Sequence, residues 1–256
     1  MIDKENTYNA GRQYIKNRIT AGILEVLIMN LGYWGDSYYI DIVMCIDATS
    51  GMIPILDEIK RNAMDLYQKF VEGMEEECKD VEQVRIKVIA FRDYKRDLEP
   101  MKESEFFVFP SQYEDFIDFV KGINLTGGND GPKSALEAIA LALKSDWTTE
   151  GDRQRYCILL FTDAPAHPLG TGAEAPSYPR GMPKDMEELS LWWEGEREFD
   201  SNYGPRAGRM FAVVPNVEPW KRIECWNRCY PEFLKVGAGL SEAYIYAAVN
   251  YLMDFC

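Results

Sequence analysis

Histidine, positive charge and long apolar runs are all scarce in this chain. Its 256 residues include a single histidine, His167, so no cluster of histidines can hold a metal. The 28 basic residues stand against 42 acidic ones, a formal net charge of -14. Binding to nucleic acid needs a basic face that displaces counterions from phosphates. No basic cluster here is longer than Lys60-Arg61 or Lys95-Arg96, and no nucleic-acid partner is expected. No Gly-x-x-x-x-Gly-Lys-Ser/Thr stretch occurs, which removes a P-loop. The six cysteines are scattered. Cys225 and Cys229 are four apart, with no second Cys or His pair to complete a zinc site. That usage suits a reducing cytoplasm better than a disulfide framework.

Near the N-terminus, Ile19 to Leu31 is apolar and follows Lys16 and Arg18. Glu25 interrupts it, no small-x-small cleavage site follows, and it is too short to span a bilayer. It is read as part of an amphipathic helix over Ala10 to Leu31, ended by Gly32 and Gly35. No membrane partner is expected.

What is present is a repeated alternation of apolar strands and helices. The run Ile40 to Ile46, interrupted only by Asp41, is rich in β-branched residues and ends in Asp47-Ala48-Thr49-Ser50-Gly51. Such a run between turn residues reads as a strand buried on both faces. A helix is expected over Ile53 to Glu76, then a strand over Val84 to Phe91 ending in Arg92-Asp93-Tyr94. A short strand over Glu105 to Phe109 is expected beside it, followed by a helix from Ser111 with a Ser-x-x-Glu capping box to Glu114. Leu125 to Pro132, with three glycines around Asn129 and Asp130, is a turn that lets backbone approach closely. A helix over Ser134 to Lys144 and a second apolar strand over Tyr156 to Phe161 follow, and that strand ends in Thr162-Asp163. Residues 164–209 form a long insertion. It is rich in proline and glycine, and then has helical character over Lys184 to Phe199. Beyond it lie a strand over Met210 to Pro215, a helix over Glu218 to Cys229, a short strand over Phe233 to Val236 and a closing helix over Ser241 to Phe255.

This pattern predicts an α/β fold: a doubly wound, mostly parallel central sheet with helices on both faces and one short antiparallel edge strand. It is preceded by a helical N-terminal extension over residues 1–37, and 38–256 form one domain. In open α/β sheets ligands bind at the carboxyl ends of the strands. Those ends bring oxygen donors to one edge: Asp47, Thr49 and Ser50; Thr126 and Asp130; and Asp163. Carboxylates and hydroxyls without histidine or thiolate are a hard-ligand set, suited to Mg²⁺, Mn²⁺ or Ca²⁺. A cation also relieves the repulsion between carboxylates brought together.

These three stretches, Asp47-Ala48-Thr49-Ser50-Gly51, Gly127-Gly128-Asn129-Asp130 and Phe161-Thr162-Asp163-Ala164, in that order, resemble the von Willebrand factor type A family. The likeness covers about residues 38 to 256. Phe91-Arg92-Asp93-Tyr94 is similar to bacterial and kinase-linked branches of that family. The resemblance implies a metal-ion-dependent adhesion site that holds Mg²⁺, Mn²⁺ or Ca²⁺. It implies a cation with an open position, which an acidic side chain of a protein partner fills. The chain departs from the pattern at Gly51, where the family has a hydroxyl ligand; the adjacent Ser50 sits where many bacterial members have glycine. Arg92, His167, Trp192 and Trp193 are expected to face the partner.

The reading is therefore of a cytoplasmic, metal-dependent protein-interaction module, an adaptor or scaffold rather than an enzyme. Two alternatives stand beside it. One is a Mg²⁺-dependent phosphohydrolase with Asp47 as nucleophile, although Thr49 stands where an Asp-x-Asp pair would have its acid. The other is a degenerate, metal-free scaffold.

Overall fold

The computed structural model describes residues 36–125 and 131–255. The expected N-terminal helix, Thr126 and Asp130 lie outside the described residues.

The strand β1 (Ser37–Asp47) is central. From Ile40 to Thr49 every residue is buried. Period-two alternation sends Ile40, Ile42, Met44 and Ile46 into one core, and Val43 and Cys45 into the other. Asp41, the one polar residue of the run, shares the second face. There it is gripped by Arg85 through Nε at 2.7 Å and Nη2 at 2.6 Å, and by the Thr148 amide at 2.6 Å. A buried carboxylate is tolerable only when paired and hydrogen-bonded in this way.

After β1 come α1 (Ile53–Glu76) and β2 (Asp80–Phe91). Next are β3 (Met101–Glu103), β4 (Phe107–Phe109) and α2 (Tyr113–Lys121). Then follow α3 (Ala135–Leu143), β5 (Arg153–Phe161) and α4 (Met186–Glu194). The chain finishes with β6 (Gly208–Pro215), β7 (Cys229–Leu234) and α5 (Ala243–Phe255). The sheet has seven strands in the order β3-β2-β1-β5-β6-β7, with β4 also on β2. All neighbours from β2 to β7 are parallel, and only β3 and β4 run antiparallel. One face is covered by α1, α2 and α5, and the other by α3, α4 and the segment around Trp220. The expected doubly wound sheet is therefore present.

Several local expectations change. The short strand expected over 105–109 is β4, over 107–109 against Val84–Ile86, and a further short strand, β3, precedes it against Ile89–Phe91. Between them the Ser104 hydroxyl accepts from the Val88 amide, at 2.9 Å, and so patches the broken ladder. The capping box at Ser111 does not form. Its hydroxyl donates to the Val108 carbonyl at 3.1 Å, and α2 starts at Tyr113. The helix expected over 218–229 is a 3-10 turn over Trp220–Cys225. Trp220, Ile223 and Trp226 all enter the core, and that spacing of three matches the 3-10 repeat rather than 3.6. The last strand begins at Cys229 rather than 233. It contains Pro231, whose missing N–H is tolerated because β7 is an edge strand.

Candidate metal centre

Chain direction creates the site. From β1 the chain moves outward to β2, whereas from β5 it moves the opposite way to β6 and β7. The crevice at such a switch point lies above the carboxyl ends of β1 and β5. Register then sets the neighbours: Ile46 is opposite Phe161 and Asp47 is opposite Phe91. Asp47 closes β1, and Thr162-Asp163 leave β5 beside it.

Asp47 and Asp163 have no exposed surface, and Thr49 is 2% exposed. Thr162 Oγ1 donates to Asp47 Oδ2 at 2.7 Å and accepts from the Ala164 amide at 3.1 Å. Asp163 Oδ2 accepts from the Gly239 amide at 2.7 Å, and its carbonyl accepts from Gly237 at 2.8 Å. One oxygen of each carboxylate is thus pinned by the protein. The other oxygens, Asp47 Oδ1 and Asp163 Oδ1, have no hydrogen-bond partner, and neither has Thr49 Oγ1. Burial pushes the Asp47 carboxyl up to about 6, and the negative charge of Asp163 adds to this. The Thr162 hydrogen bond, the Lys133 ammonium and the nearby Thr49 hydroxyl oppose the rise. Buried polar atoms without partners are costly, and two close carboxylates repel. A divalent cation answers both, so this donor set fits a hard ion.

The other expected site residues are placed as follows. Ser50 is exposed, at the start of a 3-10 turn, unlike the three buried groups. Among the described residues no group of three or more His, Cys, Asp or Glu side chains is placed to hold a metal; the described contribution is two carboxylates and a hydroxyl. After the Gly-rich stretch, residues 133 and 134 bind the loops that leave β2 and β5. The Ser134 amide donates to the Arg92 carbonyl at 2.7 Å, and Lys133 donates to Pro165 at 2.9 Å. Arg92 lines a recess of about 170 Å³ next to Ala48, together with Met101, Lys102 and Asn124. Its Nη1 lies 3.8 Å from Asp97.

His167 is half-buried. Its Nε2 lies 3.2 Å from Asp93 Oδ2, tying the loop after β2 to the loop after β5. The two tryptophans are a correction. Trp193 has no exposed surface and Trp192 is 5% exposed. The Trp193 indole donates to the Asn227 carbonyl at 2.6 Å, and Trp192 stacks on Phe199 at 4.4 Å. Both fill the core under the insertion instead of facing a partner. Sequence reasoning missed Lys133 and Thr162, which favour the ionised form of Asp47. Thr162 was legible as the hydroxyl leaving β5; a lysine after a glycine-rich turn carries no such signal.

The family model described as "Mediator complex subunit 25 von Willebrand factor type A" matches residues 36–190. The alpha-protein kinase vwkA of Dictyostelium discoideum is 26% identical over 148 residues, 58% of this chain and 22% of that protein. The chain thus spans about a fifth of that relative. Among solved structures, it is similar to the vWF domain of the type V pili tip protein Mfa5 from Porphyromonas gingivalis. The TM-score there is 0.44 at 12% identity, covering 84% of this chain and 94% of that one. A second similar structure is a von Willebrand factor type A protein from Catenulispora acidiphila, with a TM-score of 0.45 at 9% identity and coverage of 85% and 43%. With a doubly wound sheet, buried oxygen donors without hydrogen-bond partners at its switch point and a family model matching more than half of its length, the chain belongs to the von Willebrand factor type A family.

Proposed function

We propose that this domain is a protein-interaction module whose contact point is a divalent cation, Mg²⁺, Mn²⁺ or Ca²⁺, held by Asp47, Thr49 and Asp163. Family membership supports the protein-interaction role. The observation that carries the metal reading is the set of three buried oxygens without hydrogen-bond partners, Asp47 Oδ1, Thr49 Oγ1 and Asp163 Oδ1. The bound cation supplies positive charge and an open coordination position for a carboxylate of the partner. The chain's own residues prepare that position. Thr162 and Gly239 fix one oxygen of each aspartate, which leaves the other aimed by a rigid support rather than by a free side chain. Lys133 helps keep Asp47 ionised. Arg92, in the recess beside Ala48, adds positive charge for an acidic partner on an otherwise acidic protein. We place this interaction in the cytoplasm, as an adaptor or scaffold. Among the described residues no helix is long and apolar enough to cross a membrane.

Thermal melting with Mg²⁺, Mn²⁺ or Ca²⁺ tests the reading. An ion at a hundred times its Kd stabilises by about 2.7 kcal/mol, which for a domain of this size is a rise of roughly 5–10 °C. The wild type should show this rise and Asp47→Ala should not. A wild type indifferent to millimolar metal would leave a metal-free scaffold. Turnover of a phosphoester that depends on Asp47 would assign a phosphohydrolase instead.

A further inference from the structure

We propose that the open groove between the insertion and the segment after β6 docks an extended segment of a partner protein, and that Glu187 receives a basic side chain of that segment. This is independent of the metal reading above and assigns a second contact, with the opposite charge preference.

The groove consists of two recesses, of about 570 Å³ and 440 Å³, that share Met186, Glu187 and Arg222. Each is of the size of a ligand site. The first lies between Pro168 and Leu169 of the loop after β5, the start of α4, and Glu218-Pro219 of the loop after β6. The second continues along α4, past Ser190 and Glu194, to Trp226 and Asn227 just ahead of β7. Two joined recesses suit an extended chain, which rises about 3.3 Å per residue, rather than one compact ligand. One wall is the long insertion, and loops of that length in compact domains commonly carry binding surfaces.

The floor is apolar, made by Leu136, Leu169, Met186 and Trp226, all buried. The rim is charged, and its charges are paired with one exception. Lys184 Nζ lies 3.9 Å from Asp185 Oδ2, and Arg222 Nε lies 3.5 Å from Glu218 Oε2. Glu194 Oε2 lies 3.2 Å from Arg228 Nη2. Glu187 is exposed and lines both recesses, and among the described residues no ion pair or hydrogen bond engages its carboxylate. With the other pairs closed, one unanswered negative charge stands where the two recesses meet. Charge complementarity selects a cationic side chain there. Arginine suits it better than lysine, because its planar fork bonds both carboxylate oxygens. An apolar floor inside a charged rim is the layout of a protein contact.

Pools of nine-residue peptides with a fixed central Arg, Ala or Glu and random flanks, presented to the full chain in EDTA, test the groove without the metal centre. Wild type should retain the central-Arg pool at least tenfold better than the other two. Glu187→Lys, a change at an exposed position, should abolish that preference. Glu187→Gln, which puts no positive charge in the first turn of α4, should remove most of it. Glu76→Lys makes the same change of charge at an exposed position on α1, on the opposite face of the sheet, and should leave the preference intact. That control separates the groove from general attraction to a protein of net charge -14. Equal retention of the three pools by wild type would overturn the proposal. So would a preference that survives in Glu187→Lys, or one that Glu76→Lys weakens as much as Glu187→Lys does.

Discussion

Glu137, on α3, has no exposed surface, and burial pushes its carboxyl up to about 7. Its Oε1 accepts from the Tyr178 hydroxyl at 3.1 Å and from the Gly170 amide at 3.3 Å, while Oε2 has no partner. The folded protein therefore keeps a proton that an unfolded chain releases near 4.5. Where the folded state binds more protons, stability falls as pH rises. The loss should run from pH 4.5 to about 7 and then level off, on the order of 3 kcal/mol in all. Glu137→Gln should flatten this component, so that the variant matches wild type near pH 4 and exceeds it at pH 8. Urea midpoints at the two pH values measure the difference, and an unchanged pH dependence in the variant would count against a buried neutral carboxyl. The residue sits inside a helix whose other positions are nearly all apolar. Its glutamate was legible, but its burial under Gly170 and Tyr178 was not, since both come from the distant insertion.

The insertion's one helix, α4, shows how an element can be found and still be misjudged. Its start is local chemistry: Asp185 caps it by accepting from the Glu188 amide at 2.8 Å. Its end is local too, at Gly195 with φ 73°. The sequence pattern ran the helix on to Phe199, past that glycine. The pairing of Trp192 and Trp193 suggested a contact surface, yet Leu189 and Trp193 are four apart on one stripe and both fully buried. Truncating a core aromatic leaves a cavity, so Trp193→Ala should cost about 3–5 kcal/mol. Chemical denaturation reads this directly. A variant as stable as wild type would return the residue to the surface.

Over the whole molecule, the net charge is -14. A negative field concentrates divalent cations and is screened by salt over about 8–10 Å at physiological ionic strength. Mg²⁺ affinity measured by calorimetry should fall several-fold as KCl rises from about 20 to 300 mM. An affinity indifferent to salt would mean that the local ligands alone set it.

The layered architecture was legible because its causes are local. Apolar runs of strand length, helical spacing between them and polar residues at strand ends follow from period and turn chemistry. They bring Asp47 and Asp163 to one edge whatever the details of packing. Boundaries governed by distant contacts were less legible, as with the 3-10 turn that Trp220, Ile223 and Trp226 impose by entering one core. The pairing of His167 with Asp93 and the burial of the two tryptophans belong to the same class. By itself, then, the amino-acid order determined the strand–helix alternation and which oxygen donors share an edge, because secondary structure period and chain direction are encoded residue by residue. Only the tertiary structure decided which of those donors are left without partners, because that depends on atoms brought together from strand ends far apart in the chain.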